Sequence, residues 1–326
     1  MWSIQCALTI GVLMVAFVQS LNNFPIIGVM TQPSTSTDGD CNGNCLYLAA
    51  SYVKYLESAG ARVVPINYYA TETELDSLFS ALNGFFFVGG GAQFPKSAQY
   101  IYDKTVAANQ AGDFSPLWGT CMGFQWLTLA ATKNTIQLDP TDGTQMDAEN
   151  YTIPLDFRQN AMQQSKLFGS APKNIVDILS TENVTLNNHH YGLWTQNFEN
   201  TPALMQSFNI LSTNKDRAGK EFVSTIENPK YPIFGSQWHP EKNTFEWQMN
   251  ADGTPYEVIN HSWNAVQIAQ YTANFFVQQA RKSSHKFPQQ NIETASLIYN
   301  YRTWPTTGDF VQKYFFPNNF VSYKTS

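Results

Sequence analysis

Phe24-Pro-Ile-Ile-Gly-Val-Met30 is an apolar run of the length of one buried strand. Leu46 to Ala59 carries apolar residues at helical spacing and stops at Gly60, which predicts a helix. Arg62 to Tyr68 predicts a second strand. Glu72 to Leu82 predicts a helix that ends at Asn83-Gly84. Phe85 to Val88 is a fully apolar third strand, followed at once by Gly89-Gly90-Gly91. A helix is predicted near Lys96 to Ala111. Pro116-Leu-Trp118 then reads as a short strand that leads through Gly119-Thr-Cys-Met-Gly123 into a helix from Phe124 to Ala131. Continuous apolar strands alternating with helices predict a parallel sheet with helices on both faces. The second half is more β-like. Strands are predicted around Thr152 to Asp156, Asn209 to Thr213, Phe222 to Ile226 and Ile233 to Gln237. Asn264 to Lys282 is a strong amphipathic helix.

The last 40 residues are aromatic and polar with low charge, and read as an appendage packed on the same core. A length of 326 residues gives a prior of about two domains. No Gly/Ser-rich linker divides the chain, so one elaborated α/β domain is the better reading. Charged residues make up 13%, against roughly 25% in ordinary globular chains. With 43% hydrophobic residues the chain can bury a large core, which excludes global disorder. The net charge is −6 and there is no basic run, which argues against nucleic-acid binding.

Ala7 to Val18 forms an apolar run of 12 residues. A helix of that length reaches about 18 Å, short of a ~30 Å hydrocarbon core. It suits the hydrophobic stretch of a signal peptide, with cleavage after Ser20, although residues 1–6 hold no Lys or Arg. Residues 21–326 would then form the mature chain, free of membrane and directed into the secretory pathway. Asn150-Tyr-Thr152, Asn183-Val-Thr185 and Asn260-His-Ser262 fit the N-glycosylation pattern. Cleavage also removes Cys6, one of four cysteines. Cys41 and Cys45 lie four apart and either bridge or remain two thiols; an oxidising compartment permits the bridge. No His or second Cys pair near them suggests a metal site. Cys121 is left without a partner.

Gly119-Thr-Cys-Met-Gly123 has the form of a nucleophile elbow with Cys in place of Ser. A tight strand-to-helix turn forces the nucleophile into an unusual backbone conformation, and flanking glycines avoid clashes. The helix N-terminus behind the sulfur favours negative charge and offers N–H groups to an oxyanion. Such a nucleophile needs a base. His239 stands in Gly235-Ser-Gln-Trp-His-Pro-Glu241, just after a predicted strand, and Glu241 is placed to orient the imidazole. The amides of Gly90 and Met122 are candidates for an oxyanion hole. Neither a GxxxxGK[ST] nor a GxGxxG motif occurs, so the glycine loop is not read as a phosphate cradle.

Gly119, Cys121, Gly123 and Gln125, with Trp238-His-Pro-Glu241, resemble the class I glutamine amidotransferase superfamily. Longer strings resemble the γ-glutamyl hydrolases, or folylpoly-γ-glutamate hydrolases, within it. These are Pro25 to Gly28, Ala49 to Pro65, Tyr231-Pro232, Gln237 to Lys242 and Phe275 to Val277. The resemblance spans roughly residues 24–300. It implies a flavodoxin-like three-layer sandwich with a mostly parallel central sheet, β-rich insertions and a C-terminal extension. It further implies a secreted, lysosomal or vacuolar cysteine peptidase that cuts folate and antifolate poly-γ-glutamates without metal or cofactor. Carried over by motif, Cys121 is the nucleophile, His239 the general base and Glu241 its orienter. A second important histidine of the family matches His189, with neighbouring His190 as the alternative. Two other readings stand beside this one: a glutaminase subunit feeding a synthase, and an inactive binding protein on the same fold. A homodimer is left open as its assembly.

Overall fold

The computed structural model describes residues 21–34, 36, 39, 41–138 and 145–324. The apolar segment 1–20, with Cys6, lies outside the described residues.

A central sheet of eight strands runs in the order Arg62–Ile66, Ile26–Met30, Gly84–Phe87, Leu117–Thr120, Ile233–Ser236, Glu221–Glu227, Asn209–Lys215, Asp156–Phe157. The first five are parallel. The last three join antiparallel. Gly84–Phe87 and Leu117–Thr120 are buried along their whole length, which is why they read as unbroken apolar runs. Helices Ala50–Ser58, Lys173–Thr181 and Trp263–Ala280 pack together as one outer layer. Glu72–Ala81, Lys96–Gln110 and Met122–Ala131 form the other. The expected three-layer, mostly parallel α/β fold is therefore present.

One expectation is corrected. The predicted helix from Leu46 is a strand over Cys45–Ala49, and the helix starts only at Ala50. That strand is one of the two inner members of a second, antiparallel sheet, ordered Thr303–Pro305, Gln312–Phe316, Cys45–Ala49, Gln32–Ser34. Pairing with the far C-terminal end overrides the local helical spacing. The C-terminal segment thus adds strands to the N-terminal part of the fold, with Lys313 opposite Ala49. Cys41 and Cys45 form a disulfide at the entrance to this strand, with Cα atoms 5.5 Å apart. A third sheet pairs Ala148–Ile153 with Thr185–His189, the latter a strand that the sequence pattern does not reveal.

Candidate active site

Cys121 lies between the strand Leu117–Thr120 and the helix Met122–Ala131, with φ +52° and ψ −109°. An L-residue in such a conformation costs about 1–3 kcal/mol and persists only when its surroundings fix it. Here its N–H donates to the Ser236 carbonyl at 2.8 Å, and its carbonyl accepts from the Gln125 N–H at 3.0 Å. Both flanking glycines are obligatory through close approach. A Cβ on Gly119 would overlap the Gly123 carbonyl, and one on Gly123 would overlap the Phe87 carbonyl. The thiol is buried and is the free cysteine among the described residues.

The candidate base, His239, arrives from the neighbouring strand. Ile233–Ser236 runs parallel to Leu117–Thr120, with Ser236 beside Thr120, so both chains leave the sheet side by side at their carboxyl ends. Open α/β sheets place their ligands at such ends. The next residues are pinned: the Trp238 indole donates to Thr225 Oγ1 at 3.1 Å, and the His239 N–H donates to the Leu186 carbonyl at 2.9 Å. His239 Nδ1 lies 2.7 Å from Glu241 Oε1, and both side chains are buried. Because Glu241 Oε1 accepts from Nδ1–H, Nε2 is left for Cys121, with which the ring hydrogen-bonds. Burial opposes a charged imidazole here. The Glu241 carboxylate and the Cys121 sulfur outweigh it and push His239 up to about 10.

A cavity of about 130 Å³ opens on Cys121 and His239. Gly90 and Asn188 line it, as do Tyr47, Asp309 and Phe310. Its basic lining residue is Lys242, which is 1% exposed. Lys242 Nζ donates to both carboxylate oxygens of buried Glu257, at 2.6 and 2.7 Å. The Asn188 side chain donates to the same carboxylate at 2.7 Å. A larger space of about 600 Å³ adjoins, sharing Gly90 and walled by Met122, Phe94, Trp126, Leu129 and Tyr191. A third, of about 370 Å³, shares Asn188 and Asp309 and is lined by Glu149 and Glu257. Sequence reasoning missed Lys242, Asn188, Asp309 and Phe310 as cavity residues. Of these, Lys242 had a local signal, since it follows Trp-His-Pro-Glu directly.

Among the remaining candidates, Gly90 lines the Cys121 cavity, and Met122 lines the adjoining one and opens the helix behind the thiol. His189 is buried and does not line the Cys121 cavity. Its Nδ1 donates to the Tyr191 carbonyl at 2.9 Å, and Nε2 lies 3.3 Å from Asn187 Oδ1. Burial drives it down to about 3, so it is neutral. His190 is half-exposed, with Nε2 2.6 Å from Glu149. The carbonyl of Asn188, the residue before His189, lies 4.0 Å from Cys121 Sγ. Of the glycosylation candidates, Asn183 is exposed. The Asn260 amide nitrogen donates to the Asn183 carbonyl at 2.7 Å. Asn150 Oδ1 accepts from the Val258 N–H at 2.6 Å. Among the described residues no three His, Cys, Asp or Glu side chains cluster as metal ligands would, and no helix is long and apolar enough to cross a membrane.

The sequence profile of the peptidase C26 family matches residues 25–241, from just before the first strand to Glu241. The chain belongs to the peptidase C26 family. Like other C26 members it is a hydrolase with a cysteine nucleophile. It is similar to γ-glutamyl hydrolase B of Dictyostelium discoideum, at 42% identity over 291 residues, covering 87% of this chain and 80% of that one. It is also similar to γ-glutamyl hydrolase of Mus musculus, at 40% identity over 305 residues, covering 90% and 89%. The human γ-glutamyl hydrolase is 40% identical over 283 residues, covering 85% and 84%. Among solved structures, the glutaminase domain of Trypanosoma brucei CTPS with bound acivicin aligns at 16% identity and a TM-score of 0.47, covering 81% of this chain and 97% of that one.

Proposed function

We propose that this C26 hydrolase cleaves γ-glutamyl bonds of folylpoly-γ-glutamates through Cys121, His239 and Glu241. The observation that carries the reading is the buried His239, hydrogen-bonded to Glu241 at 2.7 Å on one side and to Cys121 on the other. His239, beside the sulfur, is the group that exchanges a proton with Cys121. The Cys121 sulfur attacks the γ-amide carbonyl carbon, and the C=O electron pair moves onto oxygen. That oxyanion is held by the Gly90 and Met122 N–H groups. Met122 is the first residue of its helix, so its N–H has no partner inside the helix. His239 then gives its Nε2 proton to the leaving α-amine, the C–N bond breaks, and a γ-glutamyl thioester remains. Water attacks the thioester while His239 takes a proton from it, and the thiolate leaves. Lys242 lines the cavity but is paired with the Glu257 carboxylate, so it meets a carboxylate of the substrate by exchanging that partner. The apolar run at residues 7–18 and the Cys41–Cys45 disulfide support a secretory, lysosomal or vacuolar setting.

The test is to incubate the purified enzyme with folate pentaglutamate and follow chain length. Shortening by wild type and none by Cys121→Ala is the expected result. No shortening by wild type, or unimpaired shortening by Cys121→Ala, would sink the reading. Product lengths also separate cleavage within the tail from cleavage at its end.

A further inference from the structure

Tyr52 lies on the helix Ala50–Ser58, fully buried, with its ring against Phe86 and Phe310. Its hydroxyl sits among three parts of the site. It accepts from the Gly89 N–H at 2.8 Å and stands 3.4 Å from His239 Nδ1. The Glu241 carboxylate also acts on it. A Cβ on Gly89 would come within 2.6 Å of this hydroxyl and 2.7 Å of His239 Cε1, so the contact leaves no slack.

The proton count decides what the phenol does. A tyrosine hydroxyl has one proton to donate. His239 Nδ1 cannot take it, because its own proton goes to Glu241 Oε1. Glu241 Oε2 is buried and meets no hydrogen-bond partner within bonding geometry. A buried carboxylate oxygen without a donor is costly, so the phenol proton belongs there. Burial and the nearby Glu241 raise the phenol well above its ordinary value, so it stays protonated and remains a donor. Gly89 is held from the other side as well: its carbonyl accepts from Gln32 Nε2 at 2.7 Å. That carbonyl shares a rigid peptide plane with the Gly90 N–H, so fixing one fixes the direction of the other.

We propose that Tyr52 is a positioning residue of this enzyme, its hydroxyl donating to Glu241 and accepting from Gly89, so that one group holds both the His239 imidazole and the Gly89–Gly91 turn in register with Cys121. The proposal rests on the Cys121–His239–Glu241 reading of the site. Tyr52 does not line the Cys121 cavity, so it acts through its neighbours rather than on substrate.

The test measures the second-order rate of Cys121 alkylation by iodoacetamide from pH 4 to 9, with Cys121→Ala as background. Alkylation needs no substrate, so a failure of the folylpolyglutamate reading leaves this measurement intact. In Tyr52→Phe the ring packing survives but Glu241 loses a donor and the imidazolium loses part of its anchor. The acid-side midpoint is expected to move up by about one pH unit. On a γ-glutamyl substrate, kcat is expected to fall roughly tenfold with KM within about twofold. A midpoint superimposed on wild type would overturn the proposal, whatever happens to thermal stability. In a Glu241→Gln background Tyr52→Phe should move the midpoint no further; a full additional shift would also overturn it. Should Tyr52→Phe not fold, 3,5-difluorotyrosine at position 52 keeps the shape and strengthens the donor. The midpoint should then move down, and an unmoved one refutes the role.

Discussion

Cys121 is held in its strained turn by neighbours that tolerate no extra atom. Gly123 carries this constraint most sharply, since a Cβ there would overlap the backbone of Phe87, which cannot turn aside as a side chain can. Gly123→Ala is expected to lose about 2–3 kcal/mol of stability and most of the activity. A urea melt that overlays wild type would contradict this. His189 makes a second residue-scale prediction. Its folded value of about 3 lies below the 6.5 of a free histidine, so the unfolded chain takes the proton first as pH falls. Its contribution to stability is present above about pH 6.5 and is lost progressively toward pH 3. His189→Gln should therefore flatten the acid side of the stability profile, as read by urea midpoints between pH 7 and 4. The residues proposed to do chemistry stood out by local pattern. Gly-x-Cys-x-Gly has a steric reason to exist, and Trp-His-Pro-Glu puts a base two residues from its orienter. Tyr52 did not, because its spacing is that of any apolar helix face, and Lys242 is a residue type that is ordinarily solvated.

At the scale of elements, the parallel strands and the helices between them were readable, because burial on both faces leaves unbroken apolar runs. The strand Cys45–Ala49 was misread, because its partner Gln312–Phe316 lies at the other end of the chain and no local window contains both. The same C-terminal segment brings Asp309 and Phe310 to the cavity. It is tied there by the Val311 N–H, which donates to Glu246 Oε2 at 2.7 Å. Burial lifts Glu246 from 4.5 to about 7. An acid raised in this way favours the fold while protonated; that contribution is present below about pH 4.5 and is lost as pH rises through 7. Glu246→Gln keeps an acceptor for Val311. It is expected to change stability little at pH 5 and to add about 2 kcal/mol at pH 8. Denaturant melts at the two pH values check it, and an equal effect at both would count against it.

Across the whole molecule, the class of fold followed from strand and helix order alone, whereas the composition of the site's walls did not. Those walls come from segments far apart in sequence: Tyr47, Asn188, Lys242 and Phe310 meet only after folding. The Cys41–Cys45 bridge closes a short loop beside one of them. Loop-closure entropy assigns it about 2 kcal/mol. Cys41→Ala with Cys45→Ala should lower the unfolding free energy by that amount while leaving Cys121 alkylation rates unchanged; a changed rate would show that the bridge also shapes the site. The C-terminal segment has a consequence in time as well as in space. Synthesis runs at roughly 5–20 residues per second, and Asp309 and Phe310 emerge on the order of ten seconds or more after Cys121. A nascent chain therefore carries the Cys121 thiol well before the wall of the cavity around it. Residue order works as a delay line, and the cavity wall is complete only once residue 310 has been made.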